Sequence, residues 1–147
     1  VPQRSPQRQK YRLDEIKRWS KFLNIHMNIK PKFFPPKDPH LPAKFTIAAN
    51  LLGVKVVFGH ELLKQLWSEE KDISDEKNIE NASNNFKINF KELSVLAKSE
   101  QVSKIYVDNT NEAVEKNVFG VPTYIFNNEL FWGQDRLEFL ERALKNA

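Results

Sequence analysis

The stretch VPTYIFNNELFW, residues 121–132, restricts the fold more than any other. Asn127-Asn128 separates two short runs rich in aromatic and branched residues. Asparagine accepts the positive φ that a two-residue hairpin turn demands, so these runs are expected to pair as a β-hairpin. Both strands are apolar on both faces, with Val121, Tyr124, Ile125 and Phe126 on one and Leu130, Phe131 and Trp132 on the other. A lone two-stranded hairpin is marginal in water. Strands of this kind belong in a larger sheet covered on both sides. Only NIKPKFF, residues 28–34, offers another β-prone piece, so the sheet is short of partners.

Everything before the hairpin reads as helix or connector. Residues 1–9 are rich in Pro and Gln and predict a loop. Leu13, Ile16, Trp19, Phe22 and Leu23 recur at spacings of three and four, one face of a helix over residues 10–25. Residues 35–42, PPKDPHLP, predict a stiff connector that no helix crosses. Helices are expected over 43–52, with Gly53 as its stop, and over 54–70, with Gly59 as a weak point. Residues 72–74 predict a turn whose Ser74 caps a helix from Asp75. The Lys and Asn residues between 78 and 89 read as surface filler, and helices are expected over 89–98 and 100–117. After the hairpin, Gly133 ends the return strand and Gln134-Asp135 opens a last helix through Leu137, Leu140 and Leu144. By content the chain is α+β and helix-rich, and no internal repeat is visible.

Composition narrows the chemistry. The 147 residues amount to about one domain. They include no cysteine, so this chain alone supplies no disulfide, thiolate nucleophile or Cys-based zinc site. His26, His40 and His60 are scattered, and none stands at metal-ligand spacing, so no metal site is expected. No run of 18 apolar residues marks a membrane span, and no leader is visible, which makes the cytoplasm the default location. The net charge is +4, and the first 21 residues set seven basic side chains against Asp14 and Glu15. Such a face can meet an anionic small molecule. No nucleic-acid motif accompanies it, so a solvated helix face is the reading preferred to a nucleic-acid site.

Three features are open to functional readings. Pro122 is either a rigid turn entering a strand or a device that frees the backbone of Val121 for a ligand. Asp135 is either a capping acid in a first helical turn or a partner for an ammonium group, beside N–H groups suited to a carboxylate. Trp132 is either core or a pocket wall.

The C-terminal stretch VFGVPTYIFNNELFWGQDRLEFLERAL resembles the end of the 2-hydroxychromene-2-carboxylate isomerases and their relatives, the kappa-class glutathione transferases. The likeness is close over residues 114–144, where GVPT and WGxDR recur together at the right separation, and looser but collinear further back. It implies an α/β, thioredoxin-like fold interrupted by an all-helical insertion. Residues 1–112 would then be mainly the insertion and 113–147 the C-terminal part of the thioredoxin-like domain. Members of that family open with a βαβ portion that carries a serine beside the thiol of glutathione. On the resemblance that portion, on the order of 50 residues, is expected to precede a chain like this one, unless the sheet is completed by strand exchange with a partner. The catalytic serine is therefore not among these residues.

The resemblance further implies glutathione as cofactor and a homodimer. It implies a cis bond before Pro122, with Val121 as a backbone contact to the cysteinyl part of glutathione. It places the γ-glutamyl end at Gln134 and Asp135, although relatives often carry Ser or Asn where Gln134 stands. Lys44 falls where Asn is common, on a helix facing the active site; it either points to water or becomes, with Trp132, a candidate for a substrate pocket. The implied reaction is reversible addition of glutathione thiolate to an anionic aromatic substrate, giving an isomerase. Two alternatives stay open: a disulfide oxidoreductase of the same superfamily, and a non-catalytic binding module.

Overall fold

The computed structural model describes residues 4–54 and 56–147. Seven α-helices and one two-stranded sheet are present among them: α1 (Pro6–Leu23), α2 (His40–Leu51), α3 (Val57–Trp67), α4 (Glu76–Asn85), α5 (Phe90–Ala97), α6 (Glu100–Glu115), β1 (Thr123–Phe126), β2 (Glu129–Trp132) and α7 (Leu137–Lys145). A 3-10 turn, Gln134–Arg136, leads into α7. The chain divides into two compact units, Val1–Tyr106 and Val107–Ala147, and the division falls inside α6. No described helix is long and apolar enough to cross a membrane.

In the first unit, α2 is the central element, packed on both α3 and α5. Its buried positions, Pro42, Phe45, Ala48 and Ala49, follow the helical repeat. The two alanines keep that face shallow, so neighbouring helices come close. Gly59 of α3 serves the same approach: a Cβ there would stand 3.1 Å from Cγ2 of Thr46. It is a contact point between helices, and α3 runs through it unbroken. Phe45 is fully buried and stacks on Phe90 with centroids 6.0 Å apart, and Phe58 packs on Phe86. Full burial of each such side chain contributes about 1.5–3 kcal/mol.

The structure corrects several expectations. The predicted loop over residues 1–9 is already helix from Pro6. Ser5 caps it, its hydroxyl accepting from Arg8 N–H, and proline suits the first helical position because the N–H it lacks has no helical partner there. The connector over 35–42 is helical from His40. The Asp38 carboxylate accepts from His40 N–H at 2.8 Å and Leu41 N–H at 3.2 Å, and Pro42 lies in the first turn, where it breaks no bond. Residues 28–34 form no strand. Asn28 instead donates to the carbonyls of Trp67 (2.7 Å, from its N–H) and Ser68 (3.2 Å, from its side chain) at the end of α3, and Phe34 N–H closes a turn on Pro31. Those carbonyls lack helical donors, so the segment supplies them.

Ser74 does not cap the following helix. Asp75 does, accepting from Lys77 N–H, while the Ser74 hydroxyl bonds the main chain of Asp38. The Lys and Asn residues from 81 to 89 are exposed as expected, Asn78 is half-buried, and α4 buries Ile79, Ala82 and Ser83 between them. Gly53, at φ 90°, follows the end of α2 as expected.

The second unit holds the expected hairpin. Thr123 pairs with Trp132, Tyr124 with Phe131, Ile125 with Leu130 and Phe126 with Glu129, in antiparallel register. Asn127 (φ 47°) and Asn128 (φ 62°) both take the left-handed conformation that this turn requires. Helix α7 packs on both strands, and Phe131 is the buried residue of the hairpin.

Candidate functional site

Two motifs ten residues apart in sequence meet at the open end of the hairpin. The register pairs Thr123 with Trp132, and one step beyond it Gly133 N–H donates to the Pro122 carbonyl at 2.9 Å. Pro122 and the opening of the Gln134–Arg136 turn are therefore neighbours. The Val121–Pro122 peptide bond is cis. Val121 is 88% exposed, and among the described residues neither its N–H nor its C=O has a hydrogen-bond partner. Those groups are available to an extended peptide-like ligand. Just behind them, the Thr123 hydroxyl donates to the Gly120 carbonyl at 2.6 Å and holds the turn closed.

Gly133 makes the second half of the site. Its φ of 116° and ψ of 150° lie in a region open to glycine and costly for other residues. This conformation turns the chain from β2 into the 3-10 turn, and the Asp135 carboxylate folds back against Gly133. Asp135 makes no capping hydrogen bond. It pairs instead with Arg136 at 3.5 Å, both side chains being half-exposed, and the Arg136 guanidinium also lies 6.0 Å from the Phe139 ring centroid. An exposed pair of this kind contributes little to stability, about 0–1 kcal/mol, so the carboxylate is free to take a second cationic partner. Gln134 is exposed beside it. The expected helix at Gln134 thus begins as a single 3-10 turn and becomes α7 at Leu137.

Trp132 is 49% exposed and is not core. Its ring packs on Phe119 with centroids 4.9 Å apart. Gly120 lets the indole lie against the backbone, since a Cβ there would come within 2.6 Å of Trp132 Nε1. Gly120 and Phe119 therefore shape the site, although neither was singled out from sequence. The signal was the glycine of FGVPT, two residues before the proline.

Lys44 belongs to the first unit. It lies half-buried on α2, and its ammonium donates to the Ser103 hydroxyl of α6 at 3.3 Å. One turn earlier, His40 Nδ1 and the Tyr106 hydroxyl are 2.8 Å apart. Among the described residues no group of His, Asp or Glu is placed to hold a metal ion.

The comparisons agree with the resemblance carried by the C-terminal motifs. The chain is similar to 2-hydroxychromene-2-carboxylate isomerases from Pseudomonas sp. (strain C18), 43% identical over 49 residues, and from Pseudomonas putida, 44% identical over 46 residues. These matches take in 33% and 31% of this chain and span 23% of the length of each relative. The isomerase of that name from Sphingobium xenophagum is 22% identical over 135 residues, 92% of this chain and 67% of the relative. Among solved structures, a 2-hydroxychromene-2-carboxylate isomerase shares the fold with a TM-score of 0.73 and 23% identity, over 97% of this chain and 70% of that one. Residues 1–145 match the family model of the DSBA-like thioredoxin domain. With nearly its whole length inside that match, the chain belongs to the DSBA-like thioredoxin domain family.

Proposed function

We propose that this chain forms part of a glutathione-dependent isomerase of the 2-hydroxychromene-2-carboxylate isomerase type. The observation that carries this reading is the hydrogen bond from Gly133 N–H to the Pro122 carbonyl, which sets the unpaired backbone of Val121 beside Gln134 and Asp135. The names of the relatives supply the reaction class. On this reading residues 1–112 serve as the helical insertion and residues 113–147 as the C-terminal part of the thioredoxin-like domain.

The donor set fits glutathione group by group. The N–H and C=O of Val121 pair with the backbone of the cysteinyl residue, as one strand pairs with another. The Gln134 amide and the open N–H groups of the 3-10 turn receive the γ-glutamyl carboxylate. Asp135 receives the ammonium of the same end. Its two oxygens have capacity for that cation as well as for Arg136. Glutathione, when bound, supplies a thiolate that adds reversibly to an electron-poor aromatic carboxylate substrate. Trp132 and Phe119 offer an apolar wall for such a ring.

The test is a calorimetric titration of the chain with reduced glutathione, with Asp135→Ala in parallel. Saturable binding that weakens about tenfold or more in the variant is expected, the scale of a lost charged hydrogen bond. Equal binding by both proteins would remove Asp135 from the site.

A further inference from the structure

We infer that the groove between the end of α1 and the outer face of α3 binds an uncharged apolar small molecule bearing a carbonyl or hydroxyl group, with His60 as its polar partner. The groove measures about 580 Å³ and is lined by Ile25, Met27, Val57, Leu63 and Trp67, with His60, Glu61, Lys64 and Ser68 around them. Its volume and its mainly apolar lining are those of small-molecule clefts. All of these residues lie in the first unit.

Local hydrogen bonds fix the shape of the groove. The segment after α1 is fastened at both ends, Ile25 N–H donating to the Ser20 carbonyl at 3.0 Å and Asn28 N–H to the Trp67 carbonyl at 2.7 Å. Between them the Ser68 hydroxyl donates to the His26 carbonyl at 2.6 Å. With its main chain engaged in this way, the segment lies alongside the end of α3 and brings Ile25 and Met27 to the groove. Helix α3 turns Phe58, Leu62 and Leu66 into the core. Val57 and Leu63 stay outside that face, 51% and 52% exposed, and Ile25 is 50% exposed. Apolar side chains left uncovered on one concave surface, with polar groups around them, mark a binding surface.

The charges at the rim select against an ionic occupant. Lys64 lies 3.7 Å from Glu61 and 3.2 Å from Glu69, and Glu69 also pairs with Lys71 at 2.7 Å. The bond to Glu69 raises the Lys64 pKa above its ordinary value, and the bond to Lys71 lowers that of Glu69, so both groups stay charged. Glu61 accepts in addition from the Asn85 amide at 3.2 Å. Two cations and two carboxylates balance here, and a charged ligand meets no unpaired opposite charge. The Ser68 hydroxyl is engaged by His26. The His60 imidazole is what remains, since among the described residues it has no hydrogen-bond or ion-pair partner. A neutral imidazole offers one donor and one acceptor, which suits a single carbonyl or hydroxyl on an otherwise apolar molecule.

The test is a fluorescence titration of the chain with Nile red, an uncharged apolar dye with a carbonyl group, at about pH 8, where an ordinary imidazole is neutral. Saturable one-to-one binding with enhanced dye emission is expected. Leu63→Gln, at a half-exposed position, should weaken it about tenfold, and His60→Phe about threefold. Val114→Gln, at another exposed apolar position but in the second unit, should leave it unchanged. Absence of saturable binding, equal binding by Leu63→Gln, or equal weakening by Val114→Gln would overturn the site. So would a chain that sediments as a dimer without dye and as a monomer with Leu63→Gln, because the groove would then be an interface between copies. The isomerase reading is independent of these outcomes, since none of the variants touches the hairpin end.

Discussion

Single residues at the hairpin end decide whether the candidate site exists. Gly133 is the clearest case, because its backbone conformation and the folded-back Asp135 both exclude a Cβ. Gly133→Ala should destabilise the chain by about 1–3 kcal/mol, the usual scale for a non-glycine residue held in such a region, read as a lowered urea midpoint. An unchanged midpoint would mean that the turn relaxes without cost and that glycine is not required. Gly120 differs, since its φ is ordinary and the constraint is the Trp132 ring lying over it. The need for the glycine that opens GVPT is therefore set by an indole twelve residues on, a contact that local sequence does not display. Asp135 shows the same limit. Its spacing suggested a capping acid, yet its oxygens turn to Gly133 and Arg136.

At the scale of elements, helix starts depend on which side chain reaches the first unpaired N–H groups. Asp38 does this for α2, although it precedes two prolines and a histidine that look like connector. Asp38→Ala should cost about 0.5–2 kcal/mol, the range for losing a helix cap, measured by chemical denaturation, with helicity falling at the α2 start. A loss below about 0.3 kcal/mol would show that the α2 start is set by packing rather than by the carboxylate. The hairpin was legible because Asn127-Asn128, flanked by apolar runs, carries its own turn chemistry. Helix α1 was legible through the spacing of Leu13, Ile16, Trp19, Phe22 and Leu23. Helix α4 was not. It has only Ile79 and Ala82 as apolar residues, and its asparagines hide a face that tertiary packing buries. Residues 28–34 looked β-prone from composition, but their donors are used by the end of α3 rather than by a neighbouring strand.

For the whole molecule, the second unit is the most informative. Its hairpin has the apolar surface that the sequence foretold, with Ile125 40% and Trp132 49% exposed, and only two strands to carry it. Sequence pattern reached the site's components at Pro122 and at Gln134-Asp135. The bond that joins them follows from the hairpin register, which the turn sets. The central claim is that this joined end receives glutathione. The most direct measurement is an amide-resolved NMR titration with reduced glutathione. Saturable shifts concentrated at Val121, Gln134 and Asp135, and lost in Asp135→Ala, are the predicted result. Shifts absent from those amides at saturating glutathione would contradict it.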